Sequence, residues 1–240
     1  MKAIGKTHKG KIRNINQDSF YISNEKIGNL PNLYIIADGM GGHKAGEYAS
    51  MCAVEEFVGY VKKNEYPHIS DTFINGINYI NEIIHNKSLA DENFFGMGTT
   101  FIVCSVEDNK LFVANVGDSR LYLINNDINQ ITEDHSLVEE MIKSGKLSRG
   151  QSKNHPNKNI ITRAVGADET VKCDIFTLNI TSEEFILMCS DGLTNMLEDD
   201  TILQVVGSDK KLDEKLDELI ELALNNGGTD NIAAVLIKGE

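Results

Sequence analysis

Basic residues are scarce in this chain: 23 Lys and Arg stand against 36 Asp and Glu, a net charge of −13 with His neutral. That balance repels nucleic-acid phosphates and anionic lipid headgroups, which argues against both as partners. Proline is rarer still, with three in 240 residues. With no low-complexity tract, little of the chain is left for linkers or disorder. Cys52, Cys104, Cys173 and Cys189 form no C-x-x-C pair and sit among apolar neighbours, so they read as buried free thiols rather than disulfides or zinc ligands. Long apolar runs are also missing. None approaches the roughly 18 residues of a membrane span, and Met1 to Asp18 is polar and basic where a secretory signal has an apolar core. The expectation is a cytoplasmic protein, monomeric, folded as a single domain over residues 1–240.

What is present is β-branched and periodic. Apolar runs at Leu33 to Ala37, Thr99 to Val106, Leu111 to Val116, Leu121 to Ile124, Val171 to Leu178, Phe185 to Cys189 and Ile232 to Ile237 read as strands. Short polar segments, Glu107 to Lys110 and Gly117 to Arg120, suit antiparallel hairpins and are too short for parallel crossovers. Helical periodicity covers about Ala45 to Lys63, Ile69 to Leu89 and Lys211 to Asn225, the last with Leu212, Leu216, Leu219, Ile220 and Ala223 on one face. Strands and helices are segregated more than they alternate. The expected class is α+β, a four-layer sandwich of two central antiparallel β-sheets flanked by α-helices.

Four aspartates fall at the edges of those strands: Asp38 in Ala37-Asp-Gly39, Asp118 in Gly117-Asp-Ser119, Asp191 in Ser190-Asp-Gly192 and Asp230 in Thr229-Asp-Asn231. Each alone is ordinary turn chemistry. Four converging at one sheet edge would repel one another unless a divalent cation neutralised them. Carboxylates without interleaved His or Cys suit Mg²⁺ or Mn²⁺ rather than Zn²⁺. Two such ions sharing a carboxylate can activate water for in-line displacement at phosphorus, so phosphate ester hydrolysis fits.

Eight segments carry a family resemblance: Arg13-Asn-Ile-Asn-Gln-Asp18, Ala37 to Glu47, Gly98-Thr-Thr100, Asn115 to Arg120, Thr132-Glu-Asp-His-Ser136, Thr162 to Gly166, Ser190 to Leu193 and Thr229 to Ile232. Their order resembles that of the metal-dependent protein phosphatases of type 2C, in the bacterial branch that opposes Ser/Thr protein kinases. The resemblance implies hydrolysis of phosphoserine and phosphothreonine in proteins by water or hydroxide bridging two Mn²⁺ or Mg²⁺ ions, with a third ion possible. It implies that Asp38 bridges both ions, that the backbone carbonyl of Gly39 binds one and that Asp191 and Asp230 bind the other. Asp118 aligns with a third-metal ligand, against the alternative of a hairpin turn. Asp18 would act through a water or orient a ligand, or else be a cap or turn residue. Arg13 would bind the substrate phosphate. Partners would be phosphoproteins, a Ser/Thr protein kinase among them.

Two positions depart from the pattern. Met40 stands where many eukaryotic members of that family have a His that protonates the leaving group, which leaves a water or His43 as acid. Gln17 replaces a common Glu, which takes one negative charge from the site. His135 reads as part of a strand-to-helix transition with Asp134 or Ser136 capping a helix from Leu137, and Arg163 as a residue that either reaches substrate or supports its loop. Lys143 to Arg163 holds six basic residues and no acidic one. That interval corresponds to the family's flap beside the active site, and its charge would guide phosphoproteins against the acidic body. Other phosphatase chemistries find no support: no Cys has an Arg six positions on, and neither a D-x-D nor a Gly-Asp-x-x-Asp-Arg-Gly segment occurs. A silent binding module and a small-molecule phosphoesterase remain the rival readings.

Overall fold

The computed structural model describes residues 1–42, 44–152 and 155–239. His43 and Lys153 therefore lie outside the described residues. In chain order the elements are β1 (Lys2–His8), β2 (Asp18–Ser23), β3 (Leu33–Met40), α1 (Ala45–Lys63), α2 (Ile69–Ala90), β4 (Gly98–Thr99), β5 (Phe101–Glu107), β6 (Lys110–Val116), β7 (Arg120–Ile124), β8 (Ile128–Gln130), α3 (Leu137–Lys143), α4 (Arg149–Ser152), β9 (Asp174–Asn179), β10 (Phe185–Cys189), α5 (Asp191–Thr194), α6 (Asp199–Val206), α7 (Leu212–Asn225) and β11 (Ile232–Lys238).

Two sheets form, one ordered β1-β11-β10-β7-β8 and the other β2-β3-β5-β6-β9 with β4 paired to β3. Every pairing between these strands is antiparallel. Period-two alternation explains how each sheet serves two layers. In β3, Leu33, Ile35 and Ala37 face α1 and α2, while Tyr34 and Ile36 face the other sheet. In β11, Ile232, Ala234 and Leu236 face α6 and α7, while Ala233, Val235 and Ile237 face inward. Both strands are apolar on both faces because both faces are covered. Three cores result, helix on sheet, sheet on sheet and sheet on helix, which is the expected four-layer arrangement. Each fully buried large side chain, Phe57 or Ile77 for example, contributes about 1.5–3 kcal/mol.

The long helices match their periodicity to within a residue. Others were not legible. Strand β1 offers only Ala3 and Ile4 as an apolar run and β2 only Phe20 to Ile22, with β2 starting inside its motif, while α6 is short. The run expected from Thr99 breaks at Thr100, with Gly98–Thr99 pairing separately to β3. Val171 to Cys173 precede β9 rather than joining it. No described helix is long and apolar enough to cross a membrane. The cysteines are free, Cys104 and Cys189 buried and Cys52 and Cys173 half-buried.

Candidate active site

The β2–β3 register sets Asp18 directly opposite Asp38. The backbone of Asp38 is held from its other side: its N–H donates to Thr100 Oγ1 at 2.9 Å, and its carbonyl accepts from Thr100 N–H at 2.8 Å and Thr99 Oγ1 at 2.9 Å. Next to it, Gly39 meets the first turn of α1 so closely that a Cβ there would lie 1.9 Å from the Gly46 carbonyl oxygen. Only glycine fits that approach, which explains the Asp-Gly pair better than turn chemistry does.

The second sheet supplies the rest. Asp191 opens α5 just after β10, with the Asn195 amide donating to its Oδ2 at 2.9 Å. Asp230 precedes β11 and accepts from Arg13 at 2.8 Å. Ser190 joins the two sheets, since its hydroxyl donates to Asp18 Oδ2 at 2.7 Å and accepts from Ala233 N–H at 2.9 Å. Asp18 is thus the first residue of a strand, neither a cap nor a turn.

Asp118 corrects an expectation. The segment from Gly117 to Arg120 is not a hairpin: β6 belongs to one sheet and β7 to the other. The chain changes layers there, and this carries Asp118 to the end where the sheets meet. Ser119 Oγ lies 2.8 Å from Thr100 Oγ1, which ties the crossing to the clamp on Asp38. By contrast Glu107 to Lys110 is the expected hairpin, joining β5 to β6.

Crowding of like charge shows in the acidities. Burial, then repulsion from Asp18, Asp191, Asp118 and Asp230, holds Asp38 well above the usual carboxylate range. At Asp18 burial again leads, opposed by hydrogen bonds from Ser190 and Asp38 and reinforced by Asp191, and the carboxyl is pushed up to about 7. Asp118 stands at about 8 through burial and repulsion from Asp191 and Asp134, and Asp191 at about 6 through burial and repulsion from Asp230.

The flap sits alongside. A cleft of about 440 Å³ runs between the carboxylates Asp118 and Asp191 and the flap residues Arg149, Gly150 and Lys158. Part of the flap's charge is already matched: Arg149 pairs with Glu139 at 3.1 Å and Lys143 with Glu133 at 2.5 Å. Ser136 caps α3, its Oγ accepting from Glu139 N–H, whereas Asp134 instead binds Arg120. Arg163 bonds Asp174 at 2.9 Å, which favours the loop-supporting alternative. Ser190, Asn195, Thr100 and Asp174 were not singled out from sequence. The first three lie in or beside quoted motifs, while nothing local marks Asp174.

A model of the protein phosphatase 2C family matches residues 4–236. The chain belongs to that family. It is 37% identical over 243 residues to the serine/threonine phosphatase stp of Listeria innocua, covering 99% of this chain and 96% of the relative. It is 38% identical over 235 residues to the protein phosphatase PhpP of Streptococcus pneumoniae, covering 96% and 94%. The crystal structure of serine/threonine phosphatase Stp1 from Staphylococcus aureus superposes with a TM-score of 0.93 at 33% identity, over 100% of this chain and 95% of that one. This type 2C chain is therefore an enzyme, a protein phosphatase of the bacterial serine/threonine branch, on the fold its motifs led one to expect.

Type 2C phosphatases depend on metal, and the donors present suit a hard divalent cation. The aspartates offer only oxygen. With Asp18 and Asp38 both ionised, the buried Asp18 Oδ1 faces no hydrogen-bond donor, a deficit that positive charge would relieve. Among the described residues no three His, Cys, Asp or Glu side chains stand as a ready-made ligand group.

Proposed function

We propose that this protein phosphatase hydrolyses phosphoserine and phosphothreonine in proteins by direct attack of water at phosphorus, with no phosphorylated protein intermediate. Asp38, the Gly39 carbonyl, Asp191 and Asp230 would hold two Mn²⁺ or Mg²⁺ ions, and Asp118 a third. Such ions, when bound, lower the pKa of water and offset negative charge on the phosphoryl oxygens.

The remaining work falls to the chain itself. Rigid backbone bonds from Thr99 and Thr100 fix Asp38 so that little reorganisation accompanies reaction. Asp18, held through Ser190, orients the ligand side of the site. The Arg13 guanidinium, partly exposed on Asp230, has the planar donor fork to take the substrate phosphate. Met40 has no proton to give, so the leaving serine or threonine oxygen takes its proton from water. The basic flap beside the cleft would draw phosphoproteins, a Ser/Thr protein kinase among them, to an otherwise acidic enzyme acting as a cytoplasmic monomer.

The observation that carries this reading is the meeting of five aspartates from both sheets at one end of the sandwich. A manganese-dependent assay on a phosphothreonine peptide beside a small aryl phosphate tests it, with Asp38→Asn as control. Preference for the peptide is expected, with loss of both activities in the variant. Hydrolysis of the aryl phosphate alone would favour the small-molecule reading, and no hydrolysis of either would favour the silent module.

A further inference from the structure

Behind the Asp118 crossing lies a histidine for which turn chemistry gives no account. His135 is buried, and it grips Gly117 on both polar groups: its backbone N–H donates to the Gly117 carbonyl at 3.0 Å, and its Nδ1 accepts from Gly117 N–H at 3.0 Å. An Nδ1 that accepts carries no proton, so Nε2 must carry one if the ring is neutral. Asp174 Oδ2 stands 3.1 Å from Nε2, placed to accept that proton's hydrogen bond. Asp174 Oδ1 accepts from Arg163 Nη1 at 2.9 Å, and the same guanidinium nitrogen lies 3.1 Å from the imidazole Nε2.

The charged groups facing the ring are Asp174, Arg163 and Lys143. Burial leads in lowering the His135 pKa, and Arg163 and Lys143 add to it against the pull of Asp174. Asp174 itself stays below its usual range because the bonds from His135 and Arg163 outweigh its burial. Because Gly117 N–H donates to Nδ1, that nitrogen carries no proton and the ring is neutral, with its tautomer set by its partners.

The same residue reaches the flap. Thr162 N–H donates to the His135 carbonyl at 2.7 Å, and Leu137 N–H donates to the Ile160 carbonyl at 2.9 Å, so the returning limb of the flap is bonded to the His135 segment. Gly117 has no slack to absorb a shift. Its φ is +106°, and a Cβ there would lie 2.6 Å from Thr100 Cγ2, the residue that clamps Asp38.

We infer that His135 is a positioning residue: as the neutral Nε2–H tautomer fixed by Asp174, it clamps Gly117 and sets where Asp118 stands relative to the base of the flap. The catalytic meaning of that position rests on the role proposed for Asp118. The tautomer and the clamp do not.

Long-range ¹H–¹⁵N correlation on metal-free protein with ¹⁵N-labelled histidine reads the tautomer directly at pH 7. A neutral Nε2–H ring is expected for His135, with a resolved shift change in Asp174→Asn. An Nδ1–H ring or an imidazolium would overturn the inference, whatever the activity shows. Kinetics then test the consequence on a small aryl phosphate. His135→Asn can present its amide oxygen where Nδ1 lies and should keep kcat within about threefold. His135→Ala should lower kcat at least about tenfold with KM little changed, and raise the Mn²⁺ concentration needed for half-maximal rate. Equal kcat in the two variants, both folded by circular dichroism, would overturn the positioning role while leaving the proposed hydrolysis intact.

Discussion

Strand β6 is bounded by two short polar turns that look alike in sequence and do opposite things. At one end Asp108 and Asn109, both left-handed with φ of +48° and +61°, fold the chain back within its own sheet. Two such residues give the tight twist-matched hairpin turn. At the other end Gly117 takes φ of +106° and the chain leaves for the second sheet. The first turn carries its acid in solvent, and the second carries Asp118 into a crowd of carboxylates. Tertiary partners made this difference. Thr100 and His135 hold the second turn from two sides, whereas the first is met from β9's end by the Ile180 N–H, which donates to the Asn109 carbonyl at 2.8 Å.

The largest effect is expected at the crowded end. Asp38→Asn should lower the rate on a phosphothreonine peptide on the order of a thousandfold, several kcal/mol of transition-state stabilisation, with far-ultraviolet circular dichroism unchanged. Asp108→Asn at the plain end should leave the same assay within about twofold. A comparable loss in both would mean that the turns differ less than the structure indicates.

Asp118→Ala comes next. Turnover should fall roughly ten- to a hundredfold, and the melting temperature of the metal-free protein should rise at pH 8, because a buried carboxyl repelled by Asp191 and Asp134 has been removed. Unaltered turnover with a lowered melting temperature would reduce Asp118 to a turn residue.

Acidity gives a smaller effect with a definite sign. Asp191, Asp18 and Asp118 stand at about 6, 7 and 8 in the folded chain, against about 3.9 when unfolded. The folded state thus binds more protons through that interval, and stability present below about pH 4 is lost as pH rises through 6 to 8. Scanning calorimetry of metal-free protein should show a falling melting temperature from pH 5 to 8, and added Mg²⁺ or Mn²⁺ should restore more at pH 8 than at pH 6. A flat profile would mean that the carboxylates are not crowded. The least effect is expected for Asn109→Gly, where glycine suits the left-handed backbone: a change within about 1 kcal/mol by urea denaturation, with activity unchanged.

Much of this was legible in the sequence. β3, β10 and β11 announced themselves because strands buried on both faces read as unbroken apolar runs, and α1 and α7 because one stripe of each faces a core. Asp38, Asp191 and Asp230 stand at the ends of those runs. What stayed hidden depends on distant partners. Gly117 to Arg120 has the length and polarity of a hairpin, and only the sheet order shows that it crosses layers. Asp174 is one acid among many until β9 brings it against His135 and Arg163. The flap's run of basic residues looks free in sequence, yet Lys143 and Arg149 find Glu133 and Glu139, which lie outside the run or before its start.

If aspartates from both sheets form one cation-dependent catalytic centre, as proposed, tight metal binding must depend on Asp38. Calorimetric titration of Mn²⁺ into chelator-stripped protein at pH 7, beside Asp38→Asn, tests it most directly. At least two bound ions are predicted for the unaltered chain, with loss of the tightest binding in the variant. Equal stoichiometry and affinity in the two proteins would contradict the account.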